Sequence, residues 1–182
     1  MIKKSETVLL VAVKKELPKH LIPGWNVVYS GVGKINASFA ISKAYNDFKP
    51  KLFINYGTAG TLNKNLSGLI SVKSFEQRDM DVTGLGFKLG ETPFESLSTI
   101  KFSDKGYSCS SGDDFVTKKP KIKTDLVDME AYAYAKFCKI YKIPFYCYKF
   151  ISDNANENAP LDWNKTIRDG ATKFVENVLN VN

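Results

Sequence analysis

An α/β fold around a parallel or mixed central sheet is predicted by three observations. Strand-like apolar runs alternate with helical stretches along the chain. The longest of these runs, Val8 to Val13, is apolar throughout, as a strand covered on both faces must be. Acids and small residues collect just beyond several strands, where sheets of this class bind ligands.

The elements follow in order. Thr7 to Val13 reads as a buried strand and Asn26 to Ser30 as a second, short one. Gly31-Val32-Gly33 then turns the chain into a helix whose apolar residues Ala37, Ile41, Ala44 and Phe48 share one face, and Pro50 closes it. Leu52 to Tyr56 is a third strand, ending in the small residues Gly57-Thr58-Ala59-Gly60, and Leu69 to Ser74 is a fourth. Residues 77–95 carry several glycines and Pro93 and read as a long loop. Tyr107 to Ser110 and Leu126 to Met129 are predicted as short strands. Glu130 to Tyr141 is predicted as a helix with Tyr134, Phe137, Cys138 and Tyr141 on one face. Ile143-Pro144 breaks it, and Phe145 to Ile151 is another apolar strand. A last helix, capped by Asp162, presents Ile167, Ala171, Phe174, Val175 and Val178.

Composition narrows the function. The 182 residues suit a single domain over 1–182, with 43% hydrophobic and 25% charged residues. No apolar run is long enough for a bilayer or a signal peptide, so a soluble, cytoplasmic protein is expected. The net charge of +7 comes almost wholly from lysine; the arginines are Arg78 and Arg168. Scattered lysines without an arginine cluster argue for a solvated surface and against a nucleic-acid partner. Three cysteines without a C-x-x-C pair suit reduced, packed thiols, and one histidine leaves no His-based metal cluster. No metal, cofactor or membrane partner is expected.

Several short segments could carry chemistry. Ser30-Gly31-Val32-Gly33-Lys34 lacks the Walker pattern. It is either a tight strand-to-helix turn or a backbone-amide site at a helix start. Asn55 to Gly60 is either a simple turn or a place of close ligand approach. Asp128 and Glu130 stand where a strand becomes a helix. Glu130 there either gains from the helix dipole or grips vicinal sugar hydroxyls. Asp153 ends an apolar strand, as an Asx-turn or as a site acid. Glu16, after two lysines, reads alone as a solvated residue.

Together and in this order, these segments resemble the nucleoside phosphorylase/nucleosidase superfamily, and within it the methylthioadenosine/S-adenosylhomocysteine nucleosidases. The motifs are Ala12 to Glu16, Ser30 to Lys34, Asn55 to Gly60, Asp79 to Thr83, Ser111 to Phe115, Val127 to Ala131 and Ile151 to Asp153. The resemblance implies a three-layer α/β/α sandwich around a mixed central sheet and a homodimer. It implies hydrolysis of the N-glycosidic bond of a purine nucleoside, releasing adenine, in purine salvage. It places Glu16 at the water-activating acid and Asp153 at the residue supporting protonation of purine N7. Met129 and Glu130 fall at the ribose binders, and Thr58 near the sugar or the attacking water. Phe115 falls at the ring stacked on the base and the Val116 backbone at the base edge.

The chain departs from the pattern in its short length, with losses between the first two strands and between Pro93 and Tyr107. Asp114 replaces a small residue, and Leu85 an aromatic tied to the 5′ pocket. Three other readings therefore stand beside hydrolysis of the 5′-thio-substituted adenosines. They are a phosphate-dependent phosphorylase, a nucleosidase for another purine nucleoside such as adenosine or futalosine, and a non-catalytic nucleoside-binding protein.

Overall fold

The structure, a computed structural model, describes residues 2–180. Eight strands form one mixed sheet. Strands β1 (Thr7–Val11), β2 (Asn26–Tyr29) and β3 (Leu52–Thr61) are mutually parallel in the order β2-β1-β3. Next come β4 (Leu69–Gln77), β5 (Ile100–Lys101), β6 (Tyr107–Ser111), β7 (Leu126–Asp128) and β8 (Phe145–Asp153). Helix α1 (Lys34–Phe48) follows β2, and α2 (Ala131–Tyr141) follows β7. After β8 come α3 (Ala159–Thr166) and α4 (Asp169–Phe174), which widens into a π-helical turn at Val175–Leu179.

Alternation within β1 explains the three layers. Its five residues are all buried. Val8 and Leu10 pack with α1 and α2, whereas Leu9 and Val11 pack with Phe174 and the C-terminal helices. Successive strand side chains point to opposite faces, so an unbroken apolar run demands helices on both. The first core is sealed by small helix residues, Ala37 and Ala44 of α1 and Ala131 and Ala135 of α2. The second is anchored by Tyr56 stacked on Phe174, ring centroids 4.4 Å apart.

The sheet also closes on itself. β3 pairs with β8, β8 with β4, β4 with β6, β6 with β7, and β7 returns to β3. That closure corrects the expected end of β3. Gly57 to Gly60 is not a turn; it continues the strand, pairing with Lys149 to Asp153. The small residues are needed because the strands crowd where the circuit shuts. A Cβ on Gly60 would stand 2.6 Å from Asp153 Oδ1 and 3.1 Å from Val127 Cγ2.

Other boundaries moved for local reasons. β4 and β8 each run beyond their apolar stretch, to Gln77 and Asp153, because ladder pairing continues. The exposed side of α1 includes Phe48, which does not join the Ala37–Ile41–Ala44 face. α1 stops at Lys49, which takes a left-handed conformation ahead of Pro50. Tyr141 of α2 is also exposed, stacking on Phe137 at 4.3 Å instead of entering the core. Asp162 lies inside α3 and caps nothing; Pro160 marks the start of that helix. The three cysteines are buried and unpaired.

Candidate active site

A cavity of about 230 Å³ opens where β1, β3, β7 and β8 end. All seven residues singled out from the sequence, Glu16, Thr58, Phe115, Val116, Met129, Glu130 and Asp153, line it.

Glu16 is buried, at 4% exposure, and not solvated as its charged neighbours suggested. The chain leaving β1 turns back, with Glu16 N–H donating to the Val13 carbonyl at 3.1 Å. Thr58 donates to Glu16 Oε1 twice, from its N–H at 2.8 Å and its hydroxyl at 2.7 Å. Val13 N–H reaches Oε2 at 3.3 Å. The carboxylate is thus held by β3 and by its own turn.

Glu130 sits between β7 and α2, but its side chain does not cap the helix. It reaches instead to the Gly31–Gly33 turn, where Oε1 accepts from Gly33 N–H at 2.8 Å. Gly33 has φ +97°, a conformation that exposes this N–H and that side chains rarely adopt. The next amide, Lys34 N–H, donates to Asp113 at 2.7 Å. The turn therefore spends its amides on two carboxylates of the protein. Burial, and then the negative charge of Asp128, push the Glu130 carboxyl up to about 8. The dipole of α2, which would act the other way, is outweighed.

Asp128 is the counterpart that stays ionised. It pairs with Lys149 at 2.7 Å, and both side chains are almost wholly buried. Burial opposes its charge, but the Lys149 ammonium and hydrogen bonds from Ser111 and Ala131 hold its carboxyl below the ordinary range. Burial likewise works against the Lys149 charge, and Asp128 foremost keeps it protonated.

Asp153 closes the far side. Its oxygens accept from the Ser152 hydroxyl and from Ala155 N–H, each at 2.8 Å. Burial raises its carboxyl pKa despite these bonds. Phe115 is 43% exposed at the rim, edge-on to Trp163 with centroids 6.4 Å apart. Val116 packs on Val127 and Ala155, which fixes the backbone beside Asp153. Met129 lines the cavity between Asp128 and Glu130.

Four contributors escaped the sequence reading of roles. Arg78 is buried and donates to the carbonyls of Ser110, Asp128, Gly112 and Asp114, tying the Phe115 loop to the end of β7. Its Nε is buried without a partner. Asp128 was noted as a carboxylate without a role. Lys149, a charge inside an apolar strand, carried a readable signal, since such a lysine needs a buried acid. Trp163 carried none. Among the described residues, no group of three or more His, Cys, Asp or Glu side chains could hold a metal ion.

Relatives place the chain in a family. A 5′-methylthioadenosine/S-adenosylhomocysteine nucleosidase of Staphylococcus haemolyticus is 30% identical over 182 residues, covering 84% of this chain and 79% of that protein. The chain belongs to the 5′-methylthioadenosine/S-adenosylhomocysteine nucleosidase family. The Staphylococcus carnosus nucleosidase is 32% identical over 177 residues, covering 82% of this chain and 77% of that one. No family model matches the chain. Solved structures share the fold. The Helicobacter pylori nucleosidase with butyl-thio-DADMe-Immucillin-A has a TM-score of 0.86 at 22% identity, covering 96% of this chain and 97% of that one. Native futalosine hydrolase from the same organism has a TM-score of 0.86 at 23% identity, with the same coverage. The nucleosidase family fold therefore holds in this shorter chain, as the three-layer expectation required.

Proposed function

We propose that this chain hydrolyses the N-glycosidic bond of 5′-methylthioadenosine or S-adenosylhomocysteine, releasing adenine. The observation that carries the reading is the meeting of Glu16, Glu130 and Asp153, from three separate strand ends, around one cavity.

Each acid suits a different task. Asp153, its pKa raised by burial, keeps a proton more readily and supports protonation of purine N7. As the C1′–N9 bond breaks, its electron pair leaves with the base and the sugar becomes oxocarbenium-like. Glu16 accepts a proton from the water that attacks C1′. Glu130, deprotonated, accepts from the ribose 2′ and 3′ hydroxyls and fixes the sugar between the other two. Met129 packs on the ribose, Phe115 stacks on the purine, and the Val116 backbone reads its edge. Thr58 holds Glu16 and faces the water.

The cavity favours water over phosphate as nucleophile. Among the described residues lining it, Arg78 is the one cation, and its terminal nitrogens are already occupied by carbonyls. A phosphate site draws on free, forked guanidinium donors. We read residues 1–182 as one domain acting as a cytoplasmic homodimer in purine salvage. Ile35 and Phe39, exposed one turn apart on α1 beside the cavity-lining Val32, support a second copy at that face. No helix of the described residues is long and apolar enough to cross a membrane.

The test is incubation with methylthioadenosine, S-adenosylhomocysteine, adenosine, futalosine and inosine, with and without phosphate, following the released base by chromatography. Phosphate-independent adenine release from the 5′-thio compounds is expected. Release only with phosphate would make the chain a phosphorylase. Preference for adenosine or futalosine would reassign the substrate, and tight adenine binding without turnover would leave a binding protein.

A further inference from the structure

Trp163 lies on α3, far in sequence from the strand ends that supply the acids. Its indole nevertheless enters the cavity, and Nε1 stands 2.8 Å from Thr58 Oγ1. The polarity of this contact is fixed by chemistry. An indole N–H can only donate, and a carboxylate can only accept. Thr58 Oγ1 has a single proton to give. It must accept from Trp163, and its proton goes to Glu16 Oε1 at 2.7 Å. The chain runs one way, from Trp163 through Thr58 to Glu16.

The consequence falls on Glu16. Oε1 is filled by two donors from Thr58. Oε2 has one long bond, 3.3 Å from Val13 N–H. The two oxygens are therefore unequal, and Oε2 has the lone-pair capacity left for a water proton. Without the indole N–H, the Thr58 hydroxyl loses the donor that fixes its rotor and polarises its O–H toward Glu16. Its bond to Oε1 would then be weaker and less sharply aligned, and the carboxylate less firmly oriented.

We infer that Trp163 is a positioning residue for the hydrolysis, holding Glu16 with Oε2 open to the attacking water by way of the Thr58 hydroxyl. The inference rests on the nucleosidase reading. It adds a control that reaches the water side of the cavity from α3. The same ring lies edge-on to Phe115 at 6.4 Å, so the seating of α3 is shared between the base side and the water side.

The experiment is a double-mutant cycle on adenine release from methylthioadenosine. Trp163→Phe keeps an aromatic ring and removes only the N–H. It should lower kcat about tenfold, the scale of one lost oriented hydrogen bond, with KM changed less than about twofold. Thr58→Val should lower kcat on its own, and in that background Trp163→Phe should cost nothing further. Thr58→Ser, which keeps the hydroxyl, should restore the full sensitivity to Trp163→Phe. Thermal melting of each variant separates a folding loss from a loss of positioning. Equal kcat for Trp163→Phe and the unchanged protein would overturn the inference, as would full additivity with Thr58→Val. An unchanged protein that releases no base would instead overturn the nucleosidase reading. That failure is seen before any variant is compared.

Discussion

Glu16 and Glu130 are both carboxylates, both buried, and both line the same cavity, yet their surroundings differ in kind. Glu16 is held by three donors from Thr58 and Val13. Glu130 has the single Gly33 amide and lies beside a second acid, Asp128, whose charge joins burial in driving its pKa up to about 8. Burial alone does not decide what a carboxyl does; the count of donors and the sign of the nearest charge do. Glu16 is held in one orientation, from β3 and from its own turn. Glu130 is held by one bond, and with Asp128 beside it the fold favours its protonated form.

Removing Lys149 is the strongest way to break that contrast. Lys149→Met would leave Asp128 buried without its cation. We expect a loss of about 3–5 kcal/mol of stability, read from the urea midpoint. Pairing it with Asp128→Asn should recover much of the loss, because the orphaned charge is then gone too.

A milder change sharpens the contrast through pH. The Glu130 carboxyl titrates higher in the folded chain, at about 8, than its ordinary value of 4.5. A raised pKa means the fold favours the protonated form. Its contribution to stability is therefore complete below about pH 4.5 and is lost as pH rises through about 8. Glu130→Gln cannot ionise, so its stability should fall less than that of the unchanged protein between pH 5 and 9. Melting temperatures across that range check this, and parallel curves would contradict it.

Much of this was legible in the chain. The unbroken apolar run Val8–Val13 announced a strand covered on both faces, although the strand itself ends at Val11, and the Ala37–Ile41–Ala44 spacing announced α1. The seven residues that meet at the cavity were readable as a set through the order of their motifs, although Glu16 alone looked like a surface charge. Three features were not legible. Glycines at 57 and 60 look like a turn in sequence, and only the closure of the sheet makes them a strand. How the irregular segments 78–99 and 112–125 are held has no local pattern, because side chains such as Arg78 and Asp125 tie them to β6 and β7. Trp163 meets Thr58 across 105 positions, a contact that no local pattern encodes.

The most direct test of the account is steady-state release of adenine from methylthioadenosine, without phosphate, by the Glu16→Gln variant. If Glu16 takes the water proton, kcat should fall by about 10²- to 10⁴-fold, while KM stays near that of the unchanged protein. Turnover at the full rate by Glu16→Gln would contradict the account at its centre.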